Sequence, residues 1–371
     1  MRLAILFNSG SRDVDGVADH ARMLSRALVE AGDIVTLIDY RDGHWCVAEE
    51  SGSRDASAAN VAASLRACDW VILEYSPFGM ARWGFAPWTL LWACAASRLS
   101  RLALFVHEPY VREGRGRRRL ISVWQRLQLR LLLRWTAAAL VPIEQSCDLI
   151  TGLRPGLVVG HIPVGSNLPD RRTKRAARRS QLGVEDHVVV AVFSTGHESR
   201  LDEHLGHALR ALSATGRPVL ALNLGAGANP LPPIDGIPVI SPGWLEADVL
   251  AEYLSAADLF LSPLADGASM RRTTIAAALQ HGLPVISTDG YLTDRQLRAR
   301  DSGIEMIDVD DPARFGAAAA ALAGAPVECA RRGEQARLAY TRTWSWPSIV
   351  ESLVAVLDKA SGASGSCEPG R

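Results

Sequence analysis

An acid, a glycine turn, a hydroxyl and two arginines arrive together in Asp266-Gly267-Ala268-Ser269-Met270-Arg271-Arg272-Thr273-Thr274, ahead of an apolar helix and the run His281-Gly282-Leu283-Pro284-Val285-Ile286. A strand-like stretch, Asp258 to Pro263, feeds this turn. The amides of the new helix should therefore point into a crevice at the end of a parallel sheet, a place for phosphate. A diphosphate sets two negative charges there, and without a metal they must be met by arginines and helix-terminal amides. Arg271, Arg272, Gly267, Ala268, Ser269 and Thr273 suit that work. Simple capping by Asp266 and Ser269, with both arginines in water, fits the same residues.

A second strand-to-helix turn, Phe193-Ser194-Thr195-Gly196-His197-Glu198-Ser199-Arg200, offers hydroxyls, the Gly196 backbone and the Arg200 guanidinium to the same anion. A plain turn with an exposed arginine is the alternative. Gly225, in Asn223-Leu224-Gly225-Ala226-Gly227, is a weaker contact, since glycines after strands usually only make turns. Gly16 precedes the first helix, where a sugar or phosphate could approach bare backbone. Phe105-Val106-His107-Glu108 ends a strand and sets an imidazole and a carboxylate at a carboxyl edge, the ligand-binding edge of open α/β sheets. His107 there could bond a hydroxyl, or be satisfied by its own turn. Asp13 to Asp15 and Asp308 to Asp310 have the look of metal-binding acid pairs, but their glycine and proline neighbours favour turn and cap roles.

Pro77 to Trp92 carries five large aromatics directly after a strand, able to stack on rings, meet a lipid chain or pack inside. Residues 112–135 follow with eight arginines and a single acid. On a helical wheel Arg126, Arg130 and Arg134 form one stripe, while Leu120, Trp124, Leu127, Leu131 and Trp135 line the far side. This helix is expected to cover a sheet with its wet edge charged; peripheral contact with an anionic membrane is the other use of such a pattern.

These groups need elements to hold them. With 371 residues, 48% of them hydrophobic, the chain can fill two cores. Lys plus Arg equal Asp plus Glu at 40 each, so no whole-chain field points to nucleic acid or a membrane surface, and any electrostatic partner must be read locally. Six cysteines without a CxxC pair fit a reducing cytoplasm, and the opening Met1 to Gly10 reads as a first strand, not a signal peptide. Alternating β and α stretches predict a doubly wound parallel-sheet domain over 1–168, with strands at 2–7, 34–38, 70–73, 102–106, 138–141 and 157–161. A basic linker is expected over 169–185, then a second such domain over 186–343. Residues 344–360 form one amphipathic helix, and 361–371 a disordered tail.

Taken in order, Gly16-Val17-Ala18-Asp19-His20-Ala21, Phe105 to Glu108, Ile162-Pro163-Val164-Gly165-Ser166-Asn167 and Ala257 to Pro263 through Gly282 to Val285 resemble the retaining glycosyltransferases of family 4. The resemblance implies a GT-B fold, two Rossmann-like domains facing a cleft, with the last helix crossing back onto the first domain. It implies a nucleotide-diphosphate sugar donor, a saccharide, lipid-linked or small-molecule acceptor, and no metal or other cofactor. His107, Asp266 and Arg271 would be catalytic, His107 positioning the transferred sugar and Asp266 holding donor hydroxyls. Gly16, Thr195, Gly196, Arg200, Gly225, Gly267, Ala268, Ser269, Arg272 and Thr273 would bind the donor. The family's two glutamates eight apart fall on Ser269 and Ala277, which marks a divergent subgroup. A non-catalytic nucleotide-sugar-binding partner and a sugar-nucleotide epimerase are the alternatives.

Overall fold

Uninterrupted apolar runs such as Leu3-Ala4-Ile5-Leu6-Phe7 and Val188-Val189-Val190-Ala191-Val192 are what a parallel sheet covered on both faces requires. The computed structural model describes residues 1–9, 15–49, 52–111, 116–194, 199–225 and 229–364. They fall into two units, Met1–Pro163 joined by the chain from Trp346 onward, and Val164–Ser345.

The first unit runs β1 (Arg2–Phe7), α1 (Gly16–Glu30), β2 (Ile34–Arg41), β3 (His44–Glu49), β4 (Gly52–Ala56), α2 (Ala58–Arg66) and β5 (Trp70–Tyr75). It continues with α3 (Pro77–Met80), α4 (Trp88–Leu99), β6 (Arg101–Val106), α5 (Arg117–Leu133), β7 (Ala138–Val141), α6 (Glu144–Leu153) and β8 (Val158–His161). Its sheet has the order β4-β3-β2-β1-β5-β6-β7-β8. From β2 to β8 every pairing is parallel, and strand order reverses between β1 and β5. The β3–β4 hairpin, absent from the sequence reading, extends the β2 edge antiparallel. Asp42-Gly43 makes the turn between β2 and β3 with both φ angles positive, the geometry that favours Asp-Gly between hairpin strands.

The second unit runs α7 (Arg175–Leu182), β9 (Val188–Phe193), α8 (Asp202–Ser213), β10 (Val219–Leu224), β11 (Val239–Ile240), α9 (Ala247–Ser255) and β12 (Leu259–Ser262). Then come α10 (Thr273–Gln280), β13 (Val285–Asp289), β14 (Ile304–Asp308), α11 (Pro312–Ala323) and α12 (Pro326–Ala339). The all-parallel sheet is ordered β11-β10-β9-β12-β13-β14 and reverses between β9 and β12. A last helix, α13 (Trp346–Ser364), belongs to the first unit: Ile349, Val350, Leu353 and Leu357 are buried with Leu3, Ile5, Trp70 and Leu140.

Three expectations change here. The basic stretch 169–185 is not a solvated linker. Its α7 docks in the second unit, where Arg175 donates to the Ser255 carbonyl at 2.9 Å and Arg179 to Ala256 O at 2.9 Å and to Asp258 Oδ2 at 3.1 Å. Arg178 pairs with Glu252 and lies over the Tyr253 ring. Guanidinium groups thus take up the orphan carbonyls at the carboxyl end of α9, where the helix dipole favours positive charge. Residues 361–364 are helical, and the rest of the expected tail lies outside the described residues. Likewise α5 turns differently from the wheel: Leu129, Leu132 and Leu133 enter the core beside Ser122, Gln125 and Gln128, while Leu120 and Leu127 face out. The loops over α5 explain this. Gln128 accepts from Ala86 N at 3.3 Å and donates to the Tyr75 hydroxyl at 3.1 Å, and Gln125 accepts from Val111 N at 2.8 Å. Buried backbone and phenol need those partners more than the sheet needs further leucine.

Candidate functional site

In the first unit the carboxyl ends of β1, β5 and β6 lie at the reversal of strand order, the place where open α/β sheets bind ligands. Glu74 stands near the end of β5 with its side chain fully buried. A carboxylate in that position is costly unless donors reach it. His107, just past β6, brings Nε2 to within 2.5 Å of Glu74 Oε2, and His20, on the buried face of α1, brings Nδ1 to 3.2 Å from Oε1. The His20 and His107 rings meet edge to face at 4.8 Å. Burial alone would raise the Glu74 pKa, but the charges of the two imidazoles and the hydrogen bond from His107 outweigh it and hold the group down at about 2. Burial lowers the His107 pKa against the pull of Glu74. At neutral pH this is a carboxylate flanked by an imidazole that donates from Nε2 and keeps Nδ1 as its acceptor. Neither Glu74 nor His20 was singled out in the sequence. A lone acid in the apolar run Trp70-Val71-Ile72-Leu73-Glu74-Tyr75 was the available signal.

Gly16 opens α1, and a Cβ there would meet nothing. The helix start is already supplied with an anion, since Asp15 accepts from Val17 N at 3.0 Å and Ala18 N at 3.2 Å.

In the second unit, β12 leads into a loop held against the segment after β13. Gly267 N donates to Leu264 O at 3.0 Å, Met270 N to Asp294 Oδ2 at 2.6 Å, and Asp294 N to Ala268 O at 3.2 Å. Gly267 has φ +85°, and a Cβ would overlap Thr293 and Gly290. Gly267, Ala268 and Ser269 are therefore packing residues, the last two fully buried, and the Gly267 amide is committed within the loop. The helix begins later, at Thr273, with Arg272 in an extended conformation before it. Thr273 and Thr274 carry the first amides of α10, which have no acceptor inside the helix.

Asp266, Arg271 and Arg272 do come together. Arg272 Nη2 donates to both Asp266 oxygens, at 2.7 and 2.5 Å, and to Ser199 Oγ at 3.3 Å, while Arg271 Nη2 lies 3.7 Å from Asp266 Oδ2. All three are half-buried or deeper, and the two guanidinium groups both lie beside the one carboxylate.

Arg200 has a different duty from the one expected. Its Nε bonds Asp202 at 2.7 Å, Nη1 donates to Asn229 O at 2.9 Å and Nη2 to Pro230 O at 3.0 Å, so the guanidinium clamps the chain after β10. Gly225, with φ +111°, lets the end of β10 approach Ser194 so closely that a Cβ would overlap its carbonyl. Thr195 and Gly196 lie outside the described residues. The acids at the end of β14 behave as a turn and a cap: Asp308 accepts from Asp310 N, and Asp311 from Arg314 N, both at 2.9 Å.

Among the described residues, His20, Glu74 and His107 are the three side chains close enough to share a metal ion. Their geometry suits a hydrogen-bonded relay better, because ligand atoms each about 2.0–2.2 Å from one ion stand farther apart than the 2.5 Å between His107 Nε2 and Glu74 Oε2.

No family model matches this sequence, and neither does any curated protein. Solved structures do match in fold. HepE of Anabaena, in complex with UDP and glucose, aligns at TM-score 0.65 and 13% identity over 97% of this chain and 100% of that one. Sucrose-phosphate synthase from Thermosynechococcus elongatus gives 0.65 at 14% identity, over 98% and 100%. An alpha-glucosyltransferase in complex with UDP and a 13-mer DNA gives 0.63 at 12%, over 96% and 99%. The fold is the GT-B type of these glycosyltransferases, with the parallel sheets expected from the sequence.

Proposed function

We propose that this chain is a glycosyltransferase that moves a sugar from a nucleotide-diphosphate donor to a hydroxyl acceptor, with retention and without a metal, as a divergent member of family 4. The observation that carries the reading is the Asp266–Arg271–Arg272 cluster beside the reversal of strand order in the second sheet, in a fold shared with glycosyltransferases. The second unit is assigned the diphosphate, met by the guanidinium groups of Arg271 and Arg272 and the amides of Thr273 and Thr274. Asp266, fixed by Arg272, is left to orient donor hydroxyls. The first unit contributes His107, whose Nδ1 accepts from a sugar hydroxyl. In the transfer, the bond from the anomeric carbon to the diphosphate oxygen breaks and its electron pair leaves with that oxygen. The acceptor oxygen bonds to the same face of the carbon, and its proton passes to the departing oxygen. Arg271 and Arg272 stabilise the charge that develops. The acceptor is proposed to be a saccharide, a lipid-linked sugar or a small molecule, and the compartment the cytoplasm.

The test is a thermal-shift series with UDP, GDP, ADP and their glucose conjugates, followed by donor hydrolysis and transfer with and without chelator. A preferred nucleotide raises the unfolding midpoint by mass action, and Arg271→Ala with Arg272→Ala removes that shift. Activity that disappears with chelator and returns with magnesium, or a product of inverted configuration, overturns the mechanism. A second reading is a nucleotide-sugar-binding partner without turnover, favoured by Ser269 and Ala277 standing buried where the family has its glutamates. A donor-induced shift with no transfer or hydrolysis selects it.

A further inference from the structure

We propose that the outer face of α5, with Phe85 beside it, docks on an anionic lipid bilayer. Helices that cover a sheet put apolar side chains inward and polar ones outward, and α5 breaks that rule on both sides. Ser122, Gln125 and Gln128 are buried, while Leu120 is 73% exposed, Val123 59% and Leu127 47%. Spacings of three and four place these last residues on one line along the helix. Phe85, 55% exposed, widens the line, its ring 4.6 Å from that of Trp124.

Charge identifies the occupant. Arg117, Arg118 and Arg119 stand before Leu120, and Arg130 and Arg134 continue past Leu127, all exposed. Between Pro77 and Ile143 the sequence holds eleven arginines and two acids, Glu108 and Glu113, a local excess that the neutral total conceals. Three arginines at the amino end of a helix oppose its dipole, and neither an acid in the first turn nor a capping side chain at Gly116 offsets them. Phosphate headgroups would supply the missing anions while acyl chains take up the leucine stripe. The arginine stems are long enough to reach headgroups from a helix lying in the interface. Arginines at both ends of a straight apolar stripe match a broad anionic plane. No described helix is long and apolar enough to cross a membrane, so the contact would be peripheral. This inference does not depend on the transferase reading.

Sedimentation of the full chain with vesicles of phosphatidylcholine alone, and of phosphatidylcholine with phosphatidylglycerol, tests it without any nucleotide. Binding to the anionic vesicles is expected, weakening as salt screens the arginines. The triple change Arg117→Ser, Arg118→Ser, Arg119→Ser should lower partition roughly a hundredfold, about fivefold per arginine near the surface. Leu120→Asp with Leu127→Asp should abolish binding and leave the thermal midpoint unchanged, because both side chains are exposed. The proposal is overturned if anionic vesicles do not pellet the protein, or if the double aspartate variant still binds. It is overturned equally if sedimentation velocity finds a dimer that this variant disrupts and no lipid affinity, which would make the face an interface between copies.

Discussion

Glu74 is ionised, fully buried and reached by two imidazoles, so its effect on any reaction passes through His107. With Glu74→Gln the amide can no longer draw the Nε2 proton as an anion does, and the tautomer that keeps Nδ1 as acceptor loses its preference. If His107 holds a substrate hydroxyl, kcat should fall roughly a hundredfold with little change in donor KM, and His107→Ala should add nothing further when combined with it. A merely structural Glu74 would lower the melting temperature while kcat per folded molecule stayed constant. The cluster also sets the response to acid. Because the folded His107 pKa lies below its ordinary 6.5, the unfolded chain binds the proton more readily. The stability contributed by the neutral ring is complete above pH 6.5 and is lost as pH falls through the lower folded value. Glu74, lowered from 4.5 to about 2, adds a second loss in that more acidic window. Melting temperature should therefore drop between pH 7 and pH 5, and drop less in His107→Gln. His204 and His281, also lowered by burial, would supply the remainder. His107 was legible from its place at a strand end. Its partners were not, because strand order, and not sequence spacing, brings β5 beside β6 and α1 over both.

At the scale of elements, the period of apolar residues marked eleven of the fourteen described strands, missing β3, β4 and β14, and it failed where side chains serve something other than a core. The α7 arginines looked solvated because charge usually is; their use as caps for α9 depends on carbonyls more than seventy positions away. On α5 a wheel counts leucines as inward, yet the backbone of residues 86 and 111 claims the inner face for glutamine. The Asp42-Gly43 turn did carry a local signal, and the hairpin it makes was readable from that pair. Glycine placement can be tested directly at β8. A Cβ on Gly160 would overlap Val356 of α13, so Gly160→Leu should destabilise the first unit by about 1–3 kcal/mol through overpacking. Val356→Ala in the same chain should recover part of that loss in urea unfolding, whereas two independent sites would give additive losses.

At the scale of the whole molecule, the chain leaves the first unit at Pro163, builds a second with cores of its own, and returns with α13 to finish the first. The returning helix is a structural member of the unit it rejoins. Ile349, Val350, Leu353 and Leu357 fill a layer with Leu3, Ile5, Leu24 and Trp70, and burying each large side chain is worth about 1.5–3 kcal/mol. Losing four such residues costs as much as the net stability of a whole domain, about 5–15 kcal/mol. Ending the chain after Ser345 should consequently unfold the first unit and spare the second, since none of the second unit's core residues comes from α13. Scanning calorimetry of the truncated chain should retain one cooperative transition. Hydrogen exchange should find amide protection kept in β9, β10, β12 and β13 and lost from β1, β5 and β6. Protection preserved in β1 would mean that the first sheet stands without its last helix, and α13 would then be a cover and not a part of the core.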